Sequence, residues 1–270
     1  MLSSPVSRVT LAAGLAIAGS GPLASAQAID LRNARVVDLS HPFDERTLYW
    51  PNAPSDFELK RLHFGPAEGG YFYSANSFCA PEHGGTHLDA PIHFAEGKAA
   101  AVDQIPVEKL IGPAIVIDVS RQAGADPDYR LSLEDVRAWE RRQGAIPSGA
   151  LVLLRTGWSA RWPDRKRYFG DGAAGDAATL HFPSYGEEAA RFLVETRKVS
   201  ALGIDTASID YGPSKDFIVH RVAMGAGIPG LENLDHLDAL PEKGAWLVAL
   251  PMKIGGGSGA PLRAVAFLPR

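Results

Sequence analysis

Between His83 and His93 the chain reads HGGTHLDAPIH, placing three of its eight histidines and one carboxylate within eleven residues. Gly84-Gly85 is a poor helix interior and Pro91 disfavours helix at Ala90, so the stretch reads as extended. Successive side chains of a strand point to opposite faces. His87 and Asp89 then share one face, and Thr86 and Leu88 the other. His83 comes from the turn before the strand, where the two glycines let the backbone fold back closely. His93 comes from the loop after it, begun by Pro91. Imidazoles and a carboxylate converging on one point suit a divalent metal, since neutral imidazole binds Zn, Mn or Fe and a carboxylate adds a hard oxygen. Cys79, the sole cysteine, takes no part.

Several elements have to hold this stretch in place. Arg35 to Ser40 reads as a first strand, followed by the turn-rich HPFDERTLYWPNAP, which carries Trp50. Glu58 to Phe64 and Tyr71 to Cys79 read as strands around a Gly-rich turn. Ala114 to Ser120, Leu151 to Thr156 and Ala201 to Ile204 are buried-strand runs, and Trp246 to Leu250 and Ala264 to Leu268 are the last strands. Ser132 with Asp135 predicts a capped helix to about Gln143, ended by Gly144. Ser184 with Glu187 predicts a second helix to about Lys198. Arg161 to Asp176 reads as a surface excursion and IGGGSGAPL as a flexible connection, without the lysine and strand–loop–helix setting of a phosphate-binding loop. Strands outnumber helices without regular alternation, which argues against a doubly wound parallel sheet. The expected fold class is α/β: a mixed, strongly curved or barrel-like β-sheet with a few outer helices.

The 270 residues are 46% hydrophobic and 21% charged, ordinary for a globular protein with one core. The N-terminus differs. Arg8 precedes a small, apolar run from Val9 to Ala18, then a Gly-Ser-Gly-Pro break and an A-x-A site at Ala24 to Ala26. This is a secretory signal pattern, too short to span a bilayer. Residues 1–26 are expected to be a signal peptide and 27–270 one domain, in the periplasm or secreted. The expected mature chain carries 26 basic and 31 acidic residues, so a nucleic-acid or membrane partner is not expected. One cysteine allows no internal disulfide.

HGGTHLDAPIHF resembles the HxGTHxDxPxH signature of the cyclase family of metal-dependent hydrolases, which includes bacterial kynurenine formamidases and isatin hydrolases. LYWPNAP around Trp50, LLRTGW at Leu153 to Trp158, GIDTASID at Gly203 to Asp210 and the pair His220 and Glu232 extend the likeness. The resemblance implies a swivelling β/β/α fold. It also implies that His83, His87 and Asp89 bind one metal, that His220 binds a second, and that Glu232 and Asp89 bridge the two. The cofactor is then Mn or Zn, one or two ions per chain. His93 takes the place of the family's proton-transfer histidine, the alternative being a further ligand to the same metal. Trp50 would line the substrate pocket, and a homodimer or homotetramer whose neighbour completes the pocket is implied.

Asp205 either orients a ligand histidine or caps its own turn. His41, His63, His181 and His236 carry no site role; His181 is the best outsider, because HFPSYG resembles a pocket-lining loop of the family. Three functions follow. The first is hydrolysis of a cyclic aryl amide, isatin to isatinate, with a small aromatic amide or lactam as substrate. The second is an arylformamidase cleaving N-formylkynurenine to kynurenine and formate. The third is an exported metal-binding relative without turnover. The export signal favours the first over the second, since tryptophan breakdown through kynurenine is normally cytoplasmic.

Overall fold

Leu151 and Leu153 face one way and Val152 and Leu154 the other, all four fully buried, so this strand has a packed layer on both faces. That explains its unbroken apolar run. The computed structural model describes residues 33–97, 99–170, 177 and 179–269. The expected signal peptide lies outside the described residues.

The strands, in order, are β1 (Arg35–Asp38), β2 (Glu58–Pro66), β3 (Phe72–Cys79), β4 (His87–Asp89), β5 (Ile111–Asp118) and β6 (Arg130–Leu131). Then come β7 (Leu151–Arg155), β8 (Ser184–Tyr185), β9 (Ala201–Ile204), β10 (Gly230–Glu232), β11 (Ala245–Pro251) and β12 (Gly259–Leu268). The α-helices are α1 (Ser120–Ala125), α2 (Leu133–Gln143), α3 (Arg165–Phe169), α4 (Glu187–Arg191) and α5 (Ile218–Gly225).

The main sheet runs β1-β12-β11-β5-β7-β9-β10-β4, and β4 pairs back onto β12. Seven strands therefore close a mixed barrel, with β1 continuing the edge of β12 beyond β4. The strands β5, β7, β9 and β10 are mutually parallel; the remaining pairings are antiparallel. Closure leaves the ring no free edge. Leu88, Val116, Leu153, Leu231, Leu247 and Leu262 fill the inside. Ile115, Val152, Leu202 and Ile204 on the outer face pack with Val136 and Trp139 of α2, Ala189 of α4 and Val219 of α5.

The Ser132–Asp135 capping box starts α2 and Gly144 ends it, as expected. Three expectations are corrected. Ser184 does not cap the second helix: it pairs in β8 with β6, its hydroxyl donates to the Ser208 carbonyl, and Gly186 is the N-cap. The IGGGSGAPL segment is not a free connection, because Gly259, Ala260 and Pro261 pair with β4 and close the barrel. Within the described part of Arg161 to Asp176, Tyr168 and Phe169 are fully buried and form a cap with Leu48, Trp158, Leu180 and Phe182.

Candidate metal centre

The HGGTHLD stretch folds as its residue types dictate. Gly84 has φ +152° and Gly85 φ +57°. A Cβ on Gly84 would lie 2.1 Å from the Tyr49 ring, and one on Gly85 would lie 2.5 Å from Phe43. Only glycine fits at both places. In β4, Leu88 points into the barrel core while His87 and Asp89 face out, and Thr86 on the inner side donates to the Asn233 carbonyl and accepts from the His41 amide. β10 lies antiparallel beside β4 with Glu232 opposite His87. β10 alternates likewise, Leu231 inward and Glu232 outward. α5 brings His220 over the same point.

The expected ligand set thus comes together. His83 Nδ1 lies 2.6 Å from Asp89 Oδ1, His87 Nε2 3.2 Å from the same oxygen, and His220 Nε2 3.2 Å from Asp89 Oδ2. Glu232 completes the set, 3.5 Å from His87 Nε2 and 3.3 Å from His220 Nε2. Two groups of potential ligand atoms, each within 4.8 Å, share Asp89: His83–Asp89–His93 and His87–Asp89–Glu232. One or two ions are compatible with that sharing.

The hydrogen bonds behind the imidazoles fix which nitrogen faces inward. His87 Nδ1 can only donate to the Gly85 carbonyl, at 3.0 Å. His220 Nδ1 donates to Asp210 Oδ2 at 2.7 Å, and that carboxylate also accepts from the backbone N–H groups of Val219 and His220 at the start of α5. In the neutral form that a metal ligand needs, His87 and His220 each turn a lone pair toward the Asp89 and Glu232 carboxylates. Lone pairs converging without a proton between them call for a cation, so the residues fit a divalent metal. Asp210 was not singled out in the sequence. Its signal was present: a carboxylate in the same GIDTASID run that carries Asp205.

The same carboxylates attract positive charge to this point. Burial opposes charge on His87, yet the Asp89 and Glu232 carboxylates outweigh it and raise the imidazole to about 9. Burial likewise opposes charge on His220, and its Asp210, Asp89 and Glu232 partners raise it well above its ordinary value. Asp89 is held well below the usual carboxylate range because its three imidazoles outweigh its burial, whereas burial and the adjacent Asp89 push Glu232 up. His93 is different. Burial, reinforced by the surrounding imidazoles, pushes it down to about 4, against the pull of Asp89. It stacks on His83 at 3.9 Å and 21°, and among the described residues no side chain hydrogen-bonds its ring.

A cavity of about 350 Å³ opens over this cluster, walled by Leu48, Trp50, Phe94, Phe169 and Phe217 and floored by the imidazoles and carboxylates. Trp50 stands edge-on to Phe182 at 6.3 Å. Asp205 touches no ligand histidine: it accepts from Thr156 N, Thr156 Oγ1 and Gly157 N, joining the ends of β7 and β9, and burial raises it to about 6. His181 points away to Asp128 at 2.9 Å, and its neighbour Phe182 backs the pocket instead.

Three imidazoles and two buried carboxylates, gathered on and beside the barrel wall beneath an aromatic cavity, suit a metal-dependent hydrolase. The comparisons agree. Residues 37–211 match a family model described as "Putative cyclase". Isatin hydrolase of Roseibium aggregatum is 35% identical over 208 residues, 74% of this chain and 77% of that protein. Kynurenine formamidase of Polaromonas naphthalenivorans is 30% identical over 234 residues, 87% and 91% of the two chains. The structure of isatin hydrolase A from Labrenzia aggregata bound to benzyl benzoate superposes with a TM-score of 0.79 at 34% identity, covering 88% of this chain and 95% of that one. An isatin hydrolase bound to the product analogue thioisatinate gives 0.77 at 31% identity, covering 88% and 94%. The chain belongs to the cyclase family. It is an enzyme, a hydrolase of C–N bonds other than peptide bonds, which removes the reading without turnover.

Proposed function

We propose that this enzyme opens a cyclic aryl amide, with isatin to isatinate the reaction that fits best. The observation that carries this is the cavity itself: flat aromatic walls at Trp50 and Phe217 directly above His83, His87, Asp89, His220 and Glu232. A planar bicyclic lactam packs its apolar rings against such aromatic side chains. These five residues would hold manganese or zinc, which would supply Lewis acidity and lower the pKa of water from about 16 toward about 7. The chain does the rest. Trp50 orients the ring system, the aromatic cap excludes bulk water, and His93, kept neutral by burial, takes a proton from the attacking water and returns it to the departing nitrogen. Water adds OH to the lactam carbonyl carbon as the C–N bond breaks, and the nitrogen gains the other proton, giving an aniline and a carboxylic acid that ionises to the carboxylate by releasing its proton to solvent.

The kynurenine formamidases, matched along nine-tenths of their length, support a second reading, arylformamidase activity on N-formylkynurenine. A hydrolysis screen of metal-replete enzyme on isatin, N-formylkynurenine and simple lactones separates the two. Isatin is expected to have the highest kcat/KM; a higher value for N-formylkynurenine assigns the second reading.

We infer two further properties. The export pattern at residues 1–26 supports a mature enzyme outside the cytoplasm, and a mature N-terminus near Gln27 is the expected result. The β2–β3 hairpin supports a homo-oligomer. Among the described residues it pairs with no other strand, and it displays Leu59, Leu62, Phe64, Phe72 and Phe78, each more than half exposed. Exposed apolar side chains in this number suit a subunit contact. Phe64→Ser with Phe72→Ser is expected to shift the mass in light scattering to the monomer; an unchanged mass removes the hairpin from the interface.

A further inference from the structure

The segment Gly257-Ser258-Gly259 makes contacts that the reaction as described leaves unused. Ser258 Oγ lies 2.9 Å from His83 Nε2 and donates to Glu82 Oε2 at 2.7 Å. Glu82 Oε2 also accepts from the backbone N–H of Ser258 at 2.9 Å and of Gly259 at 3.3 Å. An ionised carboxylate only accepts, so the Ser258 proton is committed to Glu82. Ser258 Oγ is then an acceptor toward His83, and the His83 proton sits on Nε2. The His83 Nδ1 lone pair is thereby turned onto Asp89 Oδ1, 2.6 Å away.

The glycines on either side make this approach possible. A Cβ on Gly259 would lie 2.5 Å from His83 Cε1 and 2.8 Å from its Nδ1. A Cβ on Gly257 would lie 2.9 Å from Glu82 Oε1. Each glycine leaves room for one end of the Glu82–Ser258–His83 chain. Gly259 itself is held by its β pairing with Asp89, so the loop and the metal centre share a fixed register.

We propose that Glu82 and Ser258 are positioning residues for the metal: they hold His83 as the Nε2–H tautomer, with Nδ1 presented as a ligand. The proposal rests on the reading of His83 as a ligand. Acceptors behind a metal-bound imidazole raise its basicity and fix its plane, and their loss typically costs ~10–100-fold in metal affinity.

The test is the divalent-metal affinity of the metal-stripped full-length chain, measured by chelator competition with Mn and Zn, beside urea unfolding of the metal-free forms. Ser258→Ala is expected to weaken binding ~10-fold or more, with the metal-free unfolding midpoint unchanged. Ser258→Thr, which keeps a hydroxyl, is expected to restore most of that loss, and Glu82→Gln to fall between. Gly259→Ala is expected to weaken binding as well, by displacing the His83 ring. Wild-type affinity in Ser258→Ala overturns the proposal while leaving the metal centre standing. A loss that only tracks the unfolded fraction, or one that Ser258→Thr does not relieve, also overturns it. A wild-type chain that binds neither metal overturns the ligand reading and this proposal together.

Discussion

His87 and His220 show what a single residue contributes here: one ring nitrogen is tied to a fixed acceptor, and the other is left for the shared centre of Asp89 and Glu232. His93 is the exception: its ring stacks on His83 and, among the described residues, no side chain hydrogen-bonds that ring. In the proposed reaction it moves a proton. His93→Ala should therefore keep its metal and lose ~10²–10⁴-fold in turnover, with a smaller loss for an aryl ester than for the matching amide, because a phenolate leaves unprotonated. Metal content and both turnovers on the same variant decide this; equal losses with metal depleted in parallel make His93 a ligand. His41 carries a second prediction. It is buried against Trp162 at 4.2 Å, and burial, only partly offset by Asp235, lowers it from 6.5 to about 4. The folded state then binds fewer protons than the unfolded state between those values. Its contribution to stability is complete above pH 6.5 and lost as pH falls toward 4, up to ~3 kcal/mol. His41→Phe keeps the stack and should unfold in urea with a weaker acid dependence; identical slopes would contradict it. His83, His87, Asp89 and His93 were legible from type and spacing, because β alternation pairs His87 with Asp89 and the flanking turns carry the other two; His220, Glu232 and Trp50 rested on the family resemblance, because folding brings them in from distant segments. Asp210 and Ser258 were not legible, since each matters only through the histidine that folding brings to it.

At the scale of elements, the short strands β4 and β10 are the frame of the site. They put Leu88 and Leu231 into the barrel and His87, Asp89 and Glu232 outside it, so core packing fixes the register of the ligands. The Gly84-Gly85 turn is the hinge of that frame. Gly84→Ala must displace the buried Tyr49 ring and hold a strained backbone. The expected cost is ~2–4 kcal/mol in urea unfolding, and a change under ~0.5 kcal/mol would show that the turn can relax. Helix α2 was legible because its capping box, apolar stripe and terminal glycine lie within one local window. The start of β12 was not, because Gly259 and Pro261 are typical loop residues and become strand only through pairing with β4. Ser184 misled for a related reason: its hydroxyl found the Ser208 carbonyl across the fold rather than the helix beside it.

For the whole molecule, the closed barrel and the outer helices are two packed layers on one wall, and the metal centre stands where that wall meets the aromatic cap. Barrel closure follows from the eighth pairing, β12 with β4, which no local pattern announces; the mixed, curved sheet did follow from the count and irregular order of the strands. The central claim is that this assembly is a hydrolase whose chemistry depends on the metal its five residues hold. The most direct test is to strip the full-length enzyme with chelator, titrate Mn back while measuring bound metal, and follow isatin hydrolysis throughout. Turnover should be absent at zero metal and rise in step with occupancy to a plateau at one or two ions per chain. Full turnover in protein shown to be metal-free would contradict it.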